Sequence, residues 1–78
     1  MNKKVLLIED DLQMQKFIIE YLEDYNFECF AFAHPKDALE NFKNNNDYSI
    51  IILDLMLPDM DGFDLFKKLK QIQDIPII

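Results

Sequence analysis

Two aliphatic runs, each ended by acid, constrain the fold of this chain more than any other feature. Val5-Leu6-Leu7-Ile8 stops at Glu9, Asp10 and Asp11, and Ser49-Ile50-Ile51-Ile52-Leu53 stops at Asp54. Runs this short and apolar read as strands buried on both faces, the pattern of a parallel sheet. A charge at the centre of such a strand would be ruinous, so Asp54 belongs at a strand's end, where water or a cation reaches it.

The segments between the runs carry helical spacing. Lys4 to Ile8 reads as the first strand. In the helix that follows, Met14, Phe17, Ile18, Tyr21, Leu22 and Tyr25 recur three or four apart, and Asp10 with Gln13 has the spacing of a capping box. Asn26 turns the chain. Phe27 to Ala33 reads as a second strand, less aliphatic and holding Glu28, as suits a sheet edge. Pro35 opens a helix whose inner face is Ala38, Leu39 and Phe42, and Asn44-Asn45-Asn46 ends it. After the third strand and a loop from Pro58 to Gly62, a short helix carries Phe63, Phe66 and Leu69 inward. Lys67, Lys68 and Lys70 lie toward its end, where cations suit the dipole, and their helical placement points them at solvent. Ile75-Pro76-Ile77-Ile78 opens a fourth strand.

Alternation of strand and helix predicts an α/β fold, a right-handed, mostly parallel sheet with helices on both faces. In such sheets the carboxyl ends of the strands share one edge, and ligands bind where the winding reverses. If strands one and three are neighbours, Glu9, Asp10 and Asp54 form an open cup of three carboxylates. Two like charges about 4 Å apart repel by roughly 4 kcal/mol at an effective dielectric of about 20, so the cup requires a cation or a raised pKa. Hard oxygen donors with open positions suit Mg²⁺, which keeps several waters and shares its shell with phosphate. Asp10 or Asp11 also suits a plain helix N-cap. Asp54 does not, because Leu55-Met56-Leu57-Pro58 follows it as a loop.

Composition narrows the partners. Seventy-eight residues allow one small domain with a marginal core. A net charge of −7 without any arginine argues against nucleic-acid binding by this segment. Lone Cys29 has no internal disulfide partner and reads as a small apolar side chain, while His34 beside Pro35 reads as a surface loop residue. The apolar stretch after Met1 is too short for a signal peptide, and no run spans a bilayer, so a reducing, cytoplasmic setting is expected.

The stretches VLLIEDD and IIILDLMLPDMDG resemble the receiver domain of bacterial two-component response regulators. The match joins a paired acid after strand one, an aspartate ending strand three, a proline four residues on and a glycine eight residues on. The resemblance implies a flavodoxin-like doubly wound sheet of strand order 2-1-3-4-5, here truncated after the start of strand four, so that residues 1–78 form a partial receiver domain. It implies Asp54 as the phosphoacceptor, Glu9, Asp10 and Asp54 as Mg²⁺ ligands with the backbone carbonyl of Met56, and a sensor histidine kinase as donor. Asp11 falls outside the matched pair and reads as first-turn charge on helix one. Gly62 suits a tight loop beside the site that needs a positive φ, and Pro58 stiffens the same loop.

The family's pattern continues past this sequence. The resemblance places a Ser or Thr at the end of strand four and a Lys at the end of strand five, both touching the phosphoryl group, and neither position lies within residues 1–78. Little stable phosphorylation of the 78-residue chain is therefore expected, along with self-association through a sheet left partly uncovered. Rival folds fail on single residues. A flavodoxin's first loop cradles phosphate, which Glu9-Asp10-Asp11 would repel; a haloacid dehalogenase phosphatase needs an Asp where Met56 stands; and P-loop and dinucleotide folds need several glycines where this chain has one. The reading is of a signalling domain and not an enzyme. Its rival from another class is an interaction or dimerisation module without phosphoryl chemistry.

Overall fold

The computed structural model describes residues 3–54 and 61–78. Strand β1 (Lys3–Ile8), helix α1 (Leu12–Asp24), strand β2 (Phe27–Phe32), helix α2 (Pro35–Lys43), strand β3 (Tyr48–Leu53) and helix α3 (Gly62–Ile72) follow in order. The three strands form one sheet in the order β2-β1-β3, and both pairings are parallel. The edge place of the less aliphatic β2 is as expected from its sequence. Past α3, Ile77 bridges Ile51 in parallel, and backbone bonds join Ile51 N to Pro76 O and Leu53 N to Ile78 O, each at 2.9 Å. The last residues therefore lie along the outer edge of β3.

One face of the sheet carries most of the core. Leu6, Ile8, Ile51 and Leu53 meet Ala38 and Phe42 of α2, Leu65 and Leu69 of α3, and Ile75. Pro35 sits buried at the first turn of α2, where its missing N–H costs nothing. Asn44 caps the other end of that helix, its side chain donating to Glu40 O at 2.9 Å.

Three expectations change. Burial on both faces holds for β1 but not for β3, where Ile51 and Leu53 are buried while Ile50 and Ile52 are half-buried. The cause is α1, which packs chiefly on β2 and has no fully buried residue; Ile18, Ile19 and Leu22 turn toward the sheet, while Met14, Phe17, Tyr21 and Tyr25 lie exposed on its flank. In α3 the inward set is Gly62, Leu65 and Leu69, and Phe63 and Phe66 are exposed. Asp61 is the N-cap, accepting from Phe63 N at 2.8 Å, so the helix begins at Gly62. The two phenylalanines instead border a cavity of about 270 Å³ with Leu53, Ile77 and Ile78.

Gly62 also departs from expectation. No described glycine has positive φ, and Gly62 is the buried first residue of α3. The positive φ belongs to Asn26, at 68°, which turns α1 into β2. Pro58 and Met56 lie outside the described residues.

Candidate functional site

Parallel pairing of β1 with β3 sets Ile8 opposite Leu53, so the residues that follow them emerge side by side. Since β2 lies on one side of β1 and β3 on the other, this is the point where the winding reverses. Backbone bonds continue past the strand ends: Asp54 N donates to Ile8 O and Glu9 N to Phe32 O, each at 3.0 Å. Glu9 is fixed further by Gln15 of α1, whose Nε2 donates to the Glu9 carbonyl at 2.6 Å.

These bonds bring the expected acids together. Glu9, Asp10 and Asp54 each offer a carboxylate oxygen within 4.8 Å of the others, with Glu9 and Asp54 half-buried and Asp10 exposed. Asp11 stands apart as the N-cap of α1, its Oδ1 accepting from Gln13 N at 2.9 Å and Met14 N at 3.2 Å. This bears out the N-cap alternative for Asp11 and replaces the expected Asp10–Gln13 capping box and the first-turn reading of Asp11: the helix starts at Leu12, which leaves Asp10 outside the cap.

The cup is electrostatically crowded. Desolvation pushes the Glu9 carboxyl up to about 7, helped by its hydrogen bond with Asp54, the charge of Asp54 and that of Asp10. Its Oε2 is sealed from water and has no hydrogen-bond partner among the described residues. An orphan carboxylate oxygen among two further carboxylates fits a hard cation, which would satisfy all three at once. Glu9 and Asp54 border a groove of about 250 Å³ whose walls include Leu7 and Ile52 from the sheet and Met14 and Ile18 from α1. Lys67 and Lys68 are exposed on α3, whereas Lys70 is held, donating to Ile75 O at 2.8 Å and Asp74 at 2.9 Å. Lys70 therefore anchors the segment that lies beside β3, a task its helical placement did not reveal.

Gln15 was not foreseen from the sequence. No spacing rule marks a side chain that bonds a backbone carbonyl six residues earlier, across a strand-to-helix turn.

Comparison with known proteins agrees with the geometry. Residues 5–78 match the family described as the response regulator receiver domain. Over all 78 residues the chain is 36% identical to the transcriptional regulatory protein SrrA of Staphylococcus aureus, of which it spans 32%. It superposes on chemotaxis protein CheY4 of Vibrio cholerae with a TM-score of 0.88 and 26% identity, covering 99% of this chain and 66% of that one. A response regulator receiver domain protein from Clostridium thermocellum gives a TM-score of 0.91 at 25% identity, covering 96% of this chain and 61% of that one. With its sheet order, its acids at the reversal point and these likenesses, the chain belongs to the response regulator receiver domain family.

Proposed function

We propose that this receiver domain accepts a phosphoryl group on Asp54 from the phosphohistidine of a sensor kinase, with Mg²⁺ held by Glu9, Asp10, Asp54 and the backbone carbonyl of Met56. Residues 1–78 on this reading are the first three strands and helices of the domain and the start of strand four. The observation that carries the reading is the set of three carboxylates within 4.8 Å, one with an orphan oxygen, at the sheet's reversal point.

In the transfer, an oxygen of Asp54 forms a bond to phosphorus as the bond from phosphorus to the imidazole nitrogen breaks; the bonding pair stays on that nitrogen, and with a proton already on the other ring nitrogen the imidazole leaves neutral. The ion, when bound, neutralises charge on the carboxylate and on the transferring group. The chain supplies position: the bond from Asp54 N to Ile8 O and the clamp of Gln15 on Glu9 fix the two strand ends that carry the acids. A net charge of −7 suits a segment that leaves nucleic acid to others. No described helix is long and apolar enough to cross a membrane.

Thermal melts with and without Mg²⁺ at matched ionic strength test the cup. At ten times its dissociation constant a bound ion adds about 1.4 kcal/mol of stability, several degrees in Tm for a domain this small. Asp10→Asn should lose most of that shift; an equal shift in both proteins rejects the metal site. The transfer step is tested by intact mass after incubation with acetyl phosphate and Mg²⁺. The 78-residue chain should label weakly and a chain extended through strands four and five readily, on Asp54. Equal labelling of extended Asp54→Asn removes Asp54 from the role.

A further inference from the structure

The bonds that hold the cup do not hold its three acids alike. Asp54 N donates to Ile8 O and Glu9 N to Phe32 O, each at 3.0 Å, so two of the acids are seated by the sheet's own ladder. Asp10 lies one residue past those bonds and is the exposed member of the cup. Its backbone is held from α1 instead. The Glu9 carbonyl belongs to the peptide that leads into Asp10, and half-buried Gln15 donates to it from Nε2 at 2.6 Å. The amide nitrogen must face that carbonyl, since the amide oxygen has no hydrogen to give. The backbone N of the same residue donates to the Asp11 carbonyl at 2.9 Å. One residue of α1 thus grips the chain on both sides of Asp10.

We propose that Gln15 is the positioning residue that gives the cup its preference for a small, octahedral cation; the inference rests on the cation reading of the cup. Three carboxylates within 4.8 Å of one another repel, and the turn after Glu9 is the part of the cup that the sheet does not restrain against spreading. Mg²⁺ requires oxygens at about 2.0–2.1 Å in a near-octahedral array, whereas Ca²⁺ accepts about 2.3–2.6 Å and less regular shells. A tethered Asp10 keeps the cup narrow, which suits Mg²⁺. An untethered one lets the cup widen, at little cost to Ca²⁺. Groups outside the ligand shell that orient ligands commonly set metal affinity by roughly 10–100-fold.

NMR titrations of the folded 78-residue chain with magnesium chloride and with calcium chloride, at constant ionic strength, test the proposal. A dissociation constant measured on the native state does not depend on how stable that state is, so a bond that merely braces the turn leaves it unchanged. Gln15→Met keeps the length and helix propensity of the side chain and removes its donor. It should raise the Mg²⁺ constant on the order of tenfold and the Ca²⁺ constant far less. Gln15→Ala should show the same pattern. Gln13→Met, exposed on the same turn and meeting Asp11 through its backbone, should leave both constants at their wild-type values. Unchanged Mg²⁺ binding in the Gln15 variants, an equal loss for both ions, or the same loss in Gln13→Met would each overturn the role of Gln15 while leaving the cup a cation site. A wild-type chain that binds neither ion would overturn the cation reading itself, and the inference with it.

Discussion

Glu9 is the residue on which the chemistry of the cup turns. Its folded pKa of about 7 lies above the ordinary 4.5 because burial and two neighbouring carboxylates disfavour its charge. The folded chain thus keeps a proton that the unfolded chain has already released. The stability this contributes is complete below pH 4.5 and is lost as pH rises through about 7. In chelator, Tm should fall across that window, and Glu9→Gln should flatten the fall, as read from melts at several pH values. On the proposed reading Mg²⁺ competes with the same proton. Its stabilising shift in the wild type should therefore be larger at pH 8 than at pH 5.5, and a shift independent of pH would separate Glu9 from the metal.

At the scale of elements, adjacent acids do different work because α1 begins one residue later than its capping-box spacing suggests. Asp11 satisfies two backbone N–H groups of the first turn. Asp11→Ala should cost about 1 kcal/mol, with or without Mg²⁺. Asp10 makes no capping bond, so Asp10→Asn should leave stability in chelator unchanged or slightly raised by relief of repulsion within the cup. Urea titrations of the two variants, each with and without Mg²⁺, distinguish cap from ligand at neighbouring positions. A cost for Asp10→Asn in chelator as large as that for Asp11→Ala would return Asp10 to a capping role.

Across the whole molecule, the sheet holds together through contacts far apart in sequence, and its last segment joins β3 through one isolated bridge. The segment beside β3 is tied by bonds to Ile51 and Leu53 and by Lys70, which reaches Ile75 O at 2.8 Å. Lys70→Met removes that bond while keeping most of the aliphatic stem. It should cost about 1 kcal/mol and speed amide exchange at Ile78 and Leu53 more than at Leu6 or Leu7, as hydrogen exchange by NMR would record. Uniform exchange would mean that the segment opens only when the whole sheet does.

The sequence by itself determined the element order, the edge position of β2 and the placement of Glu9, Asp10 and Asp54 at strand ends. Each of these follows from local pattern: aliphatic runs stop at acids, and helices alternate between them. That the three acids meet depended on β1 and β3 being neighbours, which a topological rule anticipated and the parallel pairing realises. Other features were decided only in three dimensions. Apolar spacing shows that a helix has an apolar side but not how much of it the sheet covers, so Phe17, Tyr21, Phe63 and Phe66 looked like core and stand exposed. The N-caps at Asp11 and Asp61 fixed where α1 and α3 begin, and packing against the sheet and α2 decided that Leu65 and Leu69 of α3 turn inward. Gln15 and Lys70 act through backbone carbonyls, partners that carry no side-chain identity and so leave no mark in the sequence.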